Sequence, residues 1–191
     1  LGAPPGGQFL VRDTGAKSVS TVQAATVFME DHAAAFGATS ASTRFQVGPV
    51  RQHGGSDFVR LNQYYEDLPV FGGQAVVQLA DATAVQNVLS DIMRDTRALD
   101  DGSLSLTPTL SGGEALVAAI NALATESPVH LARDYSGSGT PELVVLRPSI
   151  FGLPGATLLT WKLEVVASAQ EMEHYVVLVD AHSGTIALQY S

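Results

Sequence analysis

The sequence predicts an α+β fold of two similarly organised units, each a helix followed by an antiparallel meander. Apolar residues recur at helical spacing in two separate stretches, Thr21 to Phe36 and Ala115 to Ala124. Behind each stretch come several short strand-like runs, separated by turn clusters rich in Gly, Ser, Asp and Pro. Helix and strand do not alternate as they do in parallel βαβ chains.

In the first half Gln8 to Arg12 reads as a short strand. Val22, Ala25, Met29, Ala33 and Phe36 then mark one helix face, with Ser20 as N-cap and Gly37 as stop. Strands are expected over 43–50, 58–65, 74–79 and 83–93, with turns at His53 to Ser56, Glu66 to Pro69 and Phe71 to Gly73. The span from Arg97 to Pro108, with Asp100, Asp101 and Gly102, reads as a boundary, dividing the chain into domains 1–104 and 105–191. Beyond it, Ser111 and Glu114 form a capping box ahead of the second helix. Strands resume over 129–133, 142–147, 158–166, 175–180 and 185–189. The last two are joined by a hairpin turn from Ala181 to Gly184, with glycine where positive φ is needed.

Composition bounds the function. With 191 residues the chain is one large domain or two small ones, long enough to bury roughly 70% of its unfolded surface. It is 46% hydrophobic and only 15% charged, too apolar for a disordered chain. Ten Lys and Arg against nineteen Asp and Glu leave a net charge of −9, with no run of cations in the sequence. Nucleic acid and anionic membrane surfaces are therefore disfavoured as partners, since both need clustered positive charge. There is no cysteine, hence no disulfide, thiolate nucleophile or thiolate metal site. No apolar run approaches the ~18–20 residues of a membrane span. Leu1 in place of Met, and the Gly/Pro-rich tract after it, predict a piece of a longer chain.

The search for chemistry finds no catalytic residues and no metal ligands. His32, His53, His130, His174 and His182 show no His-Glu-x-x-His spacing, and His174 and His182 flank an expected strand roughly 20 Å long. They read as surface or packing histidines. Gly137 to Gly139 lacks a serine-nucleophile elbow and a phosphate-loop lysine and reads as a flexible loop. The acid pairs Asp91/Asp95, Asp100/Asp101 and Glu171/Glu173 read as solvated faces.

The unusual stretch is 58–79. Val59, Leu61, Gln63 and Tyr65 fall on one strand face, with Phe58, Arg60, Asn62 and Tyr64 on the other. Polar residues on both faces imply hydrogen bonds for Arg60, Asn62 and Gln63, because burying each unpaired costs about 1–3 kcal/mol. Pro69 marks a corner or an edge, and Gly72-Gly73 lets the chain reverse. Trp161 reads as a core anchor or as an interface hot spot.

This stretch resembles the propeptide motif of fungalysin- and thermolysin-type metalloproteases. Arg60, Gln63, Tyr65, Pro69, Val70, Phe71, Gly72 and Gly73 match its pattern in order, while Asp67 stands where the family has Gly. The second half, with the strand around Trp161 and Lys162 and the hairpin from Tyr175 to Ile186, resembles the PepSY-like domain of the same precursors. The resemblance implies two cystatin-like units and a non-catalytic prosegment, between a signal peptide and a zinc protease catalytic domain, that assists folding and holds the protease inactive. Zinc belongs to that partner, so no cofactor is expected here, and the setting is secreted or periplasmic. The chain's end at Tyr190-Ser191, just after a strand, is consistent with continuation into a protease. Ile186, Leu188, Tyr190 and Ser191 are the candidate inhibitory segment, pairing with a cleft strand by β-augmentation; Ile186 and Leu188 read first as core of their own sheet, and both roles hold if only the final residues protrude. The alternatives are a free-standing secreted cystatin-like binding module or inhibitor, and a hydrolase using unrecognised Ser or Asp residues.

Overall fold

A computed structural model of the chain describes residues 9–10, 20–80, 84–127, 131–167 and 173–191. His130, Glu171 and parts of the expected strands over 8–12, 83–93 and 129–133 lie outside the described residues. The chain divides into two compact units, one of Leu1–Asp100 with Arg147–Gly155, the other of Asp101–Leu146 with Ala156–Ser191.

The first unit runs β1 (Phe9–Leu10), α1 (Thr21–His32), β2 (Thr43–His53), β3 (Ser56–Tyr65), β4 (Leu68–Leu79), β5 (Ala84–Asp91) and a one-turn α2 (Arg97–Asp100). Its sheet is antiparallel, ordered β1-β5-β4-β3-β2. The Ser20 hydroxyl caps α1 by accepting from the Gln23 N–H. The expected helix continues to Phe36, but its last turn, Ala33–Phe36, tightens to 3-10 because Gly37 at φ 92 closes it. The Gly37 and Ala38 amides turn back to Ala34 and Ala33. Ala24, Ala25, Phe28 and Met29 of α1 are buried with Val59, Leu61, Val77, Leu79 and Val85 of the sheet.

One expected turn is not a turn. The chain reverses at Glu66 and Asp67, with Glu66 at φ 51, whereas Phe71 to Gly73 lie inside the continuous strand β4. Tyr64 pairs with Pro69 and Asn62 with Gln74, so β4 bulges outward over the intervening residues. Gly72 at φ 74 supplies the backbone kink of that bulge. Positive φ marks bulges as well as turns, which is why the glycine pair alone did not distinguish them. Pro69 precedes the first β4–β5 pair, Gln74 with Asp91.

The second unit runs α3 (Gly112–Glu126), β6 (Tyr135–Leu146), β7 (Leu158–Ala167), β8 (His174–Asp180) and β9 (Ile186–Tyr190), with antiparallel order β6-β7-β8-β9. Ser111 and Glu114 form the expected capping box. Ala115, Ala119 and Leu123 pack on Leu163, Val165, Val177 and Val179. Gly137 to Gly139 are not a loop but part of β6, which bulges between Ser138 and Glu142. A Cβ on Gly137 would meet Leu116 Cδ2 of α3 at 2.7 Å, so glycine here permits close helix–sheet approach. Residues Ala132–Asp134 form a 3-10 turn rather than strand. The hairpin turn is tied by Asp180, whose carboxylate accepts from the His182 and Ser183 amides at 2.8 Å, and Gly184 has φ 77.

Trp161 is half-buried against the α3 core and donates its indole N–H to the Leu110 carbonyl at 2.8 Å. That is the core-anchor arrangement. Trp161→Ala is expected to lower unfolding stability by about 3 kcal/mol in urea denaturation, from lost packing and an orphaned carbonyl.

Candidate functional site

The residues from Arg60 to Gly73 build a polar clamp inside the first unit. Gln63 is fully buried, on the same β3 face as Val59, Leu61 and Tyr65. Its Nε2 donates to the Met93 carbonyl at 2.9 Å, and its Oε1 accepts from the Met93 N–H at 2.7 Å. One side-chain amide thus replaces a strand partner for the backbone just past β5. Arg60 and Asn62, expected to share such bonding, do not face the core. Arg60 is exposed and Asn62 half-buried, so the penalty that demanded partners applies to Gln63 alone.

The bulge fits around this amide. A Cβ at Gly73 would lie 2.9 Å from Gln63 Oε1 and 2.9 Å from Val70 Cβ, and one at Gly72 would lie 2.5 Å from the Phe151 ring. Gly72 therefore faces a space already filled by an aromatic side chain from the 3-10 turn Pro148–Phe151. Phe71 stacks at a tilt on the same ring, centroids 5.6 Å apart. Val70 is buried.

Tyr65 closes the other end. Its hydroxyl donates to Asp100 at 3.0 Å, and the same carboxylate accepts from Ser40 and Thr96 at 2.6 Å each. The Ser40 and then the Thr96 hydroxyl outweigh desolvation and hold the Asp100 carboxyl below its ordinary value. Burial first, and the bond to Asp100 second, push the Tyr65 phenol up. Asp100, exposed as expected of a solvated face, is also the end-point of the clamp; Thr96 lies one helical turn away, whereas Ser40 and Tyr65 come from distant positions that no local pattern marks.

The other candidate segment lies in the second unit. β9 pairs with β8 through Leu188 opposite Leu178 and Tyr190 opposite Val176. Ile186 packs against the α3 core, while Tyr190 is 46% exposed and Ser191 is exposed. The described histidines serve local contacts. His32 stacks on Phe28, His174 Nε2 lies 3.5 Å from Glu164, and His182 bonds Thr109 and the Ser105 carbonyl. His53 is exposed at the end of β2. Among the described residues no three His, Asp or Glu side chains gather as a metal site, and no helix is long and apolar enough to cross a membrane.

Two measurements test the clamp. Gln63→Leu leaves the Met93 N–H and C=O unpaired in the core and is expected to cost about 2–4 kcal/mol in urea denaturation. Asp100 has a folded pKa below the unfolded 3.8, so its contribution is full above 3.8 and disappears as pH falls through the folded value. Asp100→Asn should accordingly flatten the acid limb of a stability–pH curve below about pH 4 while lowering stability at neutral pH.

Comparison with known proteins bears directly on this clamp. Residues 54–92 match the Fungalysin/Thermolysin Propeptide Motif. Among solved structures, the Bacillus megaterium YpeB C-terminal domain is similar with a TM-score of 0.42 at 11% identity, over 94% of this chain and 67% of that one. No curated protein matches the chain. The match runs from the β2–β3 turn through the end of β5 and on to Ile92, so the strands that carry Gln63, Tyr65, Gly72 and Gly73 lie within the segment that matches this motif.

Proposed function

We propose that the chain is the prosegment of a secreted zinc metalloprotease of the thermolysin or fungalysin type, assisting the catalytic domain to fold and holding it inactive until cleavage. The observation that carries this reading is the propeptide motif over 54–92, in which Gln63, Val70 and Gly73 pack against one another in this fold. In this reading residues 1–104 form the propeptide-motif domain and 105–191 a PepSY-like domain. The chain itself performs no catalysis, and zinc resides in the partner.

Mass action sets the scale. A domain that binds native but not unfolded protease stabilises the native form by RT ln(1 + [L]/Kd). Covalent attachment supplies an effective concentration of order millimolar. A contact with a Kd of about 10 µM then stabilises the fold by about 2.7 kcal/mol.

The contact is assigned to β9. Among the described residues it pairs on one side only, and Ile186–Tyr190 carries neither charge nor proline. The β2 edge of the first unit, by contrast, has Arg44, Arg51, Pro49 and a bulge after Val47, the usual defences against strand addition. β9 has a register shift of its own between Ile186 and Leu188, but its uncharged, regularly paired end from Leu188 to Tyr190 supports pairing with an extended strand of the protease cleft, with Tyr190 and Ser191 leading into it.

Added in trans, the polypeptide is expected to inhibit the mature downstream protease, and removal of Tyr190 and Ser191 to weaken that inhibition. Full protease activity at saturating polypeptide overturns the proposal. A reading frame after Ser191 containing His-Glu-x-x-His supports it, whereas a stop codon favours a free-standing inhibitor or binding module.

A further inference from the structure

The first unit contains a cavity of about 410 Å³ between the end of β5 and the 3-10 turn at Pro148. Arg94 and Arg147 both line it, with the hydroxyls of Ser90 and Ser149. In a chain of net charge −9 this is an unusual gathering, and Arg97 stands at its margin. Sequence distance hides the group, since Arg147 reaches the site from the segment between β6 and β7.

The Arg147 guanidinium and the Arg94 stem both have defined neighbours. The Arg147 Nε donates to Ser149 Oγ at 3.1 Å on a turn begun by the buried Pro148. The Arg94 stem lies on Gly37, where a Cβ would approach its Cγ and Cδ to 3.0 Å. Arg94 makes no ion pair among the described residues. Asp95 also lines the cavity; its two oxygens accept from the Arg97 fork at 2.9 and 3.0 Å, and Arg147 Nη2 makes a longer ion pair with Asp95 Oδ2 at 3.8 Å. That fork holds the Asp95 carboxyl down at about 2, so its charge is permanent and already matched. Asp91 is exposed at the lining, and Ile92 and Ile150 supply apolar wall.

We propose that this cavity is a binding site for a single carboxylate on a short aliphatic stem, gripped by Arg94 and Arg147 with Ile92 and Ile150 against the stem. Two arginines and two serines lining one cavity suit a planar monoanion. Asp91 opposes any ligand with a second negative charge, which disfavours phosphate and dicarboxylates. The size and apolar wall fit a peptide group rather than a bare ion. Two sources share this chemistry, a glutamate side chain within a peptide and the terminal carboxylate of a chain. The site is argued independently of the prosegment reading and stands or falls apart from it.

The test titrates the full chain by calorimetry at constant ionic strength. The probes are N-acetyl-glutamate N-methylamide, N-acetyl-valine, the neutral glutamine analogue and inorganic phosphate. Saturable binding of one carboxylate probe but not of the glutamine analogue or phosphate is expected, and the probe that binds identifies the source. Arg94→Ala, at an exposed position, should weaken that binding about tenfold without moving the melting temperature. Asp91→Asn should tighten it. No saturable binding of either carboxylate, equal binding of the glutamine analogue or phosphate, or unchanged affinity in Arg94→Ala overturns the proposal.

Discussion

The first unit depends on one reciprocal pair of buried hydrogen bonds, between the Gln63 side-chain amide and the Met93 backbone. An amide buried with both ends satisfied specifies register far more strictly than a leucine of similar volume, since a slip of one residue would leave donor and acceptor unpaired in the core. The neighbouring features follow from accommodating it. Gly73 leaves the space that Gln63 Oε1 approaches, and β4 bulges to pass it. Met93, once held, carries the chain toward α2, where Asp100 collects the Tyr65, Ser40 and Thr96 hydroxyls. Most of the matched propeptide-motif residues are thus explained as parts of one clamp rather than as a reactive site.

The second unit is built on different terms. Its core is an alanine-rich helix laid close to a sheet, made possible by Gly137 under Leu116 and anchored by Trp161 hooked to Leu110. Asp180 performs the turn-tying job that Gln63 performs by clamping, and although burial pushes its carboxyl up, the Ser183 and His182 amides prevail and hold it down. The two sheets also treat their outer strands differently. β2 is studded with arginine and interrupted by proline, while β9 is neutral, with a register shift between Ile186 and Leu188 and regular pairing from Leu188 to Tyr190.

Much of this was legible from residue order, and the reason is range. Both helix starts were readable because Ser20 and the Ser111–Glu114 box act within one turn. The alternation of Val59, Leu61, Gln63 and Tyr65 gave the buried face of β3 because strand periodicity is local. Gly72-Gly73 and Gly137 to Gly139 were misread as a reversal and a loop. Glycine reports that a backbone needs freedom or space, and only the neighbouring strand or helix says which.

Sequence by itself determined the fold class, the helix caps, the paired meanders and the residues of the motif, since each rests on interactions spanning a few positions. Tertiary structure decided what those residues touch. It chose Met93 as the partner of Gln63, Asp100 as that of Tyr65, and Phe151 as the ring over Gly72. It also brought Arg147 beside Arg94. These pairings join positions far apart along the chain, and the closure of such long loops is settled only when the whole core packs, so no local pattern encodes them.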